Sequence, residues 1–179
     1  MSAFARWQRT ERREPTRVAV TLLAGPVFLG LLPWLVVVVG SRLDRRLGLP
    51  PLPIRTMGRI VGGLLTATGY GLGFWAVEAQ LDRGRGTPLP VMPTQELLTE
   101  GPFRYCRNPM TLGAILAYLG LAIASRTRAG MAFALVFGVS LLAYVKKVEE
   151  DELAARFGEP YLAYRRATPF LVPRLSARG

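Results

Sequence analysis

Four stretches of the chain carry no charged residue: 18–41, 60–77, 109–125 and 129–145. Apolar side chains fill them almost continuously rather than at amphipathic spacing, so each predicts a helix that is apolar on every face. Crossing the hydrocarbon of a bilayer takes roughly 17–25 such residues. The first stretch is ample and the others are short but sufficient. The pattern predicts an all-α integral membrane protein with about four transmembrane helices. Only Ser125-Arg126-Thr127-Arg128 joins the last two, which makes residues 109–145 a re-entering hairpin that returns to the side it left.

The segments between are polar and stiff. Residues 1–17 form a basic N-terminal arm. Pro26 and Pro33 interrupt the first span, where each removes a backbone donor and predicts a bend. Residues 48–53 hold three prolines and predict an extended connection. The second span carries Gly58, Gly62, Gly63, Gly69, Gly71 and Gly73, a composition that suits close helix packing or a cavity for a bulky ligand. Residues 78–108 read as a long loop rich in Gly and Pro, a length usually reserved for function. Within it Thr94 predicts an N-cap for a short helix over 95–98. After the fourth span the helix is expected to run on through 146–157 and stop at Gly158. A short helix follows over 159–166, then an extended end at Pro169 and Pro173. By this reading residues 18–77 are two N-terminal spans, and 78–179 hold the chemistry in a loop, the hairpin and short C-terminal helices.

Charge changes the picture in three ways. The 179 residues include 23 Lys and Arg against 12 Asp and Glu, a net charge of +11. That excess flanks the apolar stretches, where it meets anionic headgroups, and no soluble domain is left to carry a nucleic-acid groove. Placing the N-terminus and the C-terminal segments inside puts 16 of the bases inside and 7 outside, as the positive-inside rule requires. Both termini are then cytoplasmic, and the composition suggests a bacterial inner membrane. The first span is expected to be retained as an anchor, because it is too long for a signal-peptide core. Cys106 is the only cysteine and histidine is absent. A disulfide framework, a His-ligated metal and any histidine base are excluded together. With no charge inside the spans, a transport pathway is disfavoured.

Candidate chemistry gathers at the two ends of the hairpin. On one side stands Gly101-Pro102-Phe103-Arg104-Tyr105-Cys106-Arg107-Asn108-Pro109-Met110; on the other, Glu149-Glu150-Asp151-Glu152, Phe157-Gly158, and Tyr161 with Tyr164. Because the hairpin returns, both clusters face one membrane surface. Asn108 before Pro109 reads as a helix cap, or as an amide that binds a polar ligand beside helix N–H groups. Glu150 is spaced to pair with Lys146, and Asp151 with Lys147, although a carboxylate here also suits a cationic or ribose-bearing ligand. Tyr161 and Tyr164 are either interface anchors or pocket walls. Cys106 has no neighbouring base in sequence to make it a nucleophile.

The first cluster resembles the G-x-Y-x-x-x-R-H-P segment of the isoprenylcysteine carboxyl methyltransferase family, whose more distant relatives include phospholipid N-methyltransferases. Glu149, Glu150, Leu153, Phe157, Gly158, Tyr161 and Tyr164 resemble that family's E-E-x-x-L-x-x-x-F-G-x-x-Y-x-x-Y segment, at matching separation. The likeness covers roughly residues 85–173. It implies a methyltransferase dependent on S-adenosylmethionine, whose lipophilic acceptor enters from the bilayer. Carried over by position, cofactor contacts fall on Gln95, Glu96, Leu97, Leu98, Phe103, Asn108, Pro109, Met110, Thr111 and Glu149. Arg107, Asn108 and Glu150 are the implied catalytic residues.

The chain departs from the pattern at Phe103 and Thr111, where the family has tyrosines, and at Asn108, where it has histidine. Val145 stands where the prenylcysteine enzymes use an arginine, with Lys146 adjacent. These changes bear on the acceptor more than on the cofactor. A carboxylate or thiolate is already a nucleophile, whereas an amine must lose a proton and no histidine is present to take it. An anionic acceptor is therefore expected. A phospholipid or small-amine N-methyltransferase, or a non-catalytic protein keeping the fold, are the alternatives.

Overall fold

The computed structural model describes residues 24–84 and 95–174. The basic arm, the start of the first apolar stretch, Thr94 and the prolines at 88, 90 and 93 lie outside the described residues. Among those described, every regular element is helical: α1 (Pro26–Arg46), α2 (Thr56–Asp82), α3 (Pro109–Ser125), α4 (Arg128–Phe157) and α5 (Glu159–Ala167), with a 3-10 turn at Gly101–Arg104. Helices α1, α2 and α4 are long and apolar enough to cross a membrane. Helix α3 is shorter, with 17 residues, about 26 Å at 1.5 Å per residue. Leu29, Leu64, Val136 and Val139 stand exposed on the outside of these helices, the arrangement expected where lipid is the solvent.

Pro26 and Pro33 leave their mark on α1. The helix widens into π-helical turns over Pro26–Leu31 and Leu35–Val39, because a missing N–H breaks the regular ladder. The glycines of α2 answer the packing question. A Cβ on Gly62 would meet Ala124 N at 2.6 Å and Gly120 O at 2.7 Å, and one on Gly113 would meet Gly69 O at 2.6 Å. Backbone lies against backbone along the α2–α3 seam, so only glycine fits at Gly62 and Gly69. Gly63 and Gly71 face open space instead. Val36, Ala117, Tyr118, Ala122 and Ala134 fill the middle of the bundle. There the Tyr118 hydroxyl donates to Phe28 O at 2.9 Å, which satisfies a polar group that burial would otherwise penalise.

At the end away from the candidate chemistry, Asp44 of α1 caps α4. Its carboxylate accepts from Arg128 N at 2.8 Å and Ala129 N at 2.9 Å, and Thr127 Oγ1 accepts from Gly130 N at 3.1 Å. Arg126 and Arg128 donate to Leu52 O and Pro50 O. The stiff 48–53 connection is thereby tied to the hairpin turn.

One local expectation fails. No helix forms over 95–98. The N–H groups of Gln95 and Glu96 turn to Gly84 O, at 2.7 and 3.4 Å, and the chain stays irregular until the 3-10 turn. The C-terminal expectations hold. Helix α4 is apolar through Val145, passes through a π-helical turn (Val145–Glu149) and continues polar to Phe157. Gly158, at φ 60° and ψ −135°, makes the sharp break into α5, a conformation that side-chain-bearing residues resist.

Candidate active site

The end of α2, the 3-10 turn, the start of α3, the polar extension of α4 and helix α5 converge at one end of the bundle. At their centre Arg107, from the loop before α3, forms an ion pair with Glu150 of α4. The two side chains are only 9% and 5% exposed. Glu150 also accepts from Lys146 Nζ at 2.8 Å, the i,i+4 pair expected; Lys147 and Asp151 form no such pair. The Arg107–Glu150 contact joins the two motifs that the hairpin separates. Its alignment falls outside hydrogen-bond geometry, so Glu150 Oε1 and Arg107 Nη1 lack a formal hydrogen bond, and buried Arg107 Nε has no partner either. Orphaned buried donors of this kind are rare.

Residues 168–174, the C-terminal arm, pack against Arg107 and Lys146 beside this pair. Phe170 places its ring 5.6 Å from the Arg107 guanidinium and 5.1 Å from Lys146 Nζ, within cation–π range. Arg107 N donates to Pro169 O at 2.9 Å. Asn108 sits at the N-cap position of α3, but its side chain makes no cap. It donates instead to Phe170 O at 2.9 Å. The expected cap is therefore replaced by a tie to the arm, and the helix start relies on Pro109 at its first position.

The remaining predicted contacts divide. Phe103 packs with Ala76 and Ala79 of α2, and Leu98 and Met110 lie against them. Pro109 and Thr111 are buried, Leu97 is half-buried and Glu96 is exposed. The segment from Gln95 to Leu98 thus supplies one packing residue and a backbone that is free of helix constraints. Tyr161 is 2% exposed and lies against both Arg107 and Glu150. The Tyr164 hydroxyl donates to Phe103 O at 2.6 Å. Both tyrosines are walls of the site rather than interface anchors, and burial pushes both phenols up.

Beyond the apolar part of α4, Glu149 is the group whose acidity moves most usefully. Burial first, then the neighbouring carboxylates of Glu152 and Glu150, push it up to about 7. A carboxyl poised there is half protonated near neutrality. Cys106 is fully buried, and burial pushes its thiol up, against a smaller lowering by the Asn108 backbone. It is inert packing.

Two residues went unread in the sequence. Phe170 packs against Arg107 and Lys146 beside the ion pair, but nothing local marks it. Gln80 of α2 is buried, with Oε1 unpartnered, next to Ala79 and one turn from Ala76, the two alanines that pack on Phe103. A glutamine at the polar end of an apolar helix was the only signal available.

The profile of the phospholipid methyltransferase family matches residues 57–160, from α2 into α5. The chain is similar to Methanethiol S-methyltransferase 2 of Bradyrhizobium diazoefficiens, 40% identical over 79 residues, which is 42% of this chain and 28% of that protein. It is also similar to the cobalt-zinc-cadmium resistance protein CzcN of Cupriavidus metallidurans, 37% identical over 81 residues, covering 45% of this chain and 37% of the other. The matched part thus spans well under half the length of either relative.

Proposed function

The chain belongs to the phospholipid methyltransferase family, and from that premise we propose that it is a membrane methyltransferase using S-adenosylmethionine. Its acceptor is a lipophilic or small molecule bearing a thiol or carboxylate. The observation that carries this reading is the buried Arg107–Glu150 pair, which brings both sequence motifs together at one end of the bundle. Catalysis is assigned to residues 78–179, with α1 and most of α2 as scaffold. Positive-inside counting supports a cytoplasmic site and cytoplasmic termini in a bacterial inner membrane.

The side chains present fit the cofactor's chemistry. When bound, S-adenosylmethionine supplies an electrophilic methyl group on a sulfonium. Arg107, with an unpartnered buried Nε, is suited to a carboxylate. Glu149 is suited to a ribose hydroxyl, and the backbone around Asn108, Pro109, Met110 and Thr111 to polar groups at a helix start. Glu150, itself paired with Lys146, holds Arg107 in place, and Phe170 with Tyr161 and Tyr164 exclude water. The protein's contribution is mainly proximity and orientation.

The thiol acceptor draws support from the methanethiol enzyme to which the chain is similar. A thiol must shed its proton before it attacks, and Glu149, pushed up to about 7, is matched to take it. The same property favours a second reading, an amine acceptor, because it gives a histidine-free site a group able to accept a proton. The test is transfer of labelled methyl from S-adenosylmethionine to a panel of thiols, carboxylates and amines, using purified protein in lipid nanodiscs. Turnover on thiols or acids supports the first reading. Turnover confined to amines replaces it with the second, and no turnover on any acceptor leaves a non-catalytic protein.

A further inference from the structure

Arg107 is suited to a ligand carboxylate, yet it is closed in. Its side chain is 9% exposed, and its unpartnered Nε is buried. A ligand atom reaches that donor only when something packed on Arg107 moves. Among the described residues three neighbours lie against it: Glu150 of α4, Tyr161 of α5 and the C-terminal arm. Glu150 and Tyr161 are themselves buried and are carried on helices, so displacing either disturbs a packed element.

The arm is built differently. Residues 168–174 have no regular secondary structure and none of them is buried, so little apolar surface holds them down. Their ties converge on one short segment. Pro169 O accepts from Arg107 N at 2.9 Å, Phe170 O accepts from Asn108 Nδ2 at 2.9 Å, and Tyr105 O accepts from Arg174 N at 3.1 Å. The Phe170 ring adds its contacts with the Arg107 and Lys146 cations. A segment held by a few partly exposed polar contacts opens far more readily than the fold around it.

Asn108 gives the opened arm a second stable arrangement. It occupies the N-cap position of α3, where asparagine is among the best residues. Its amide donates to Phe170 O instead, and the first N–H groups of α3 receive no side-chain cap. Once Phe170 withdraws, the same side chain is free to turn its Oδ1 onto those N–H groups. One hydrogen bond is then exchanged for another, which is what a two-state element requires.

We infer that residues 168–174 are a strap that opens to admit and release the cofactor, with Phe170 as its latch and Asn108 alternating between latch and helix cap. The identity of the ligand rests on the methyltransferase reading; the opening of the strap does not.

The test has two arms. In the first, the full chain in detergent carries Val172→Cys, at a position 75% exposed, labelled with an environment-sensitive fluorophore; Cys106 is buried and does not compete for the label. Stopped-flow mixing with S-adenosylmethionine gives the association and dissociation rate constants. Adding Phe170→Ala is expected to raise association about tenfold, and dissociation by at least as much. Loss of an ordinary ligand contact raises dissociation alone, so an unchanged association rate overturns the strap.

The second arm is residue-resolved amide exchange without ligand. The N–H groups of Arg107 and Arg174, both bonded across the arm, should share one protection factor. It should be at least about tenfold below that of Leu162, whose N–H donates to Gly158 O within α5. Asn108→Asp keeps a capping side chain but cannot donate to Phe170 O, and it should speed exchange at Arg107 with an unchanged thermal midpoint. No change there overturns the alternating role of Asn108. Protection of Arg107 equal to that of Leu162 overturns the strap, and this comparison decides if Phe170→Ala fails to fold. A wild-type protein that opens by exchange but takes up no S-adenosylmethionine keeps the strap and loses the methyltransferase reading.

Discussion

Arg107 and Glu150 form a buried ion pair that bridges the loop before α3 and the polar extension of α4. Neither residue has another buried opposite charge to turn to, since Lys146 reaches Glu150 from a side chain that is mostly exposed. Removing one partner strands the other in a poorly solvated place. Glu150→Ala should lower stability by about 3–5 kcal/mol, read as the loss in a denaturant or thermal unfolding experiment in mild detergent. Arg107→Met combined with Glu150→Leu should recover most of that loss while abolishing ligand binding. A double variant as unstable as the single would mean that the pair is not what the site costs.

The glycine seam between α2 and α3 predicts a position-specific pattern. Gly62→Leu must push backbone against backbone at Gly120 and Ala124, and should cost at least the roughly 1–3 kcal/mol of an ordinary overpacked core. Gly63→Leu, whose Cβ meets nothing within 4 Å, should be tolerated. Comparing folded yield and thermal midpoint of the two variants checks it, and equal damage would contradict the seam.

Asp44 gives a prediction far from the chemistry. Its carboxylate takes two N–H groups at the start of α4, so Asp44→Ala should cost about 0.5–2 kcal/mol, the range for losing a helix cap. Cofactor affinity should stay unchanged, because the cap lies at the opposite end of the bundle. A loss of affinity without a loss of stability would show that the two ends are coupled.

Glu149 predicts opposite pH trends for activity and stability. Its carboxyl, ordinarily near 4.5, is pushed up to about 7 by burial and neighbouring acids. A raised acid stabilises the fold fully below its ordinary value, and that contribution is lost as pH rises through the folded value. Its share of stability should therefore fall between about 4.5 and 7. Activity that uses its carboxylate as proton acceptor should rise through the same neutral region. Glu149→Gln should flatten both trends, measured as differences from wild type. A variant that retains the wild-type activity profile would remove Glu149 from the chemistry.

The sequence made the frame of this protein legible because the frame depends on local rules. Uncharged stretches, Gly158 after Phe157, and Lys146 four residues before Glu150 all report structure within one element. The close packing at Gly62 and Gly69 was one of two readings, and only the partner helix decided between them. What could not be read was which distant groups would compete. Asn108 looked like a cap, but the carbonyl of Phe170 takes its amide. Gln95 and Glu96 looked like a helix start, but Gly84 takes their N–H groups. Arg107 and Glu150 were both singled out, yet their pairing depends on how the hairpin closes.

The most direct test of the central claim is calorimetric titration of S-adenosylmethionine into the detergent-purified protein, with Glu149→Ala and Asn108→Ala alongside. The account predicts saturable binding by wild type, weakened at least tenfold in Glu149→Ala, a loss of about 1.4 kcal/mol. Asn108→Ala should weaken it through release of the Phe170 arm. A well-folded wild-type protein that takes up no S-adenosylmethionine would contradict the account and leave the two motifs with a structural role alone.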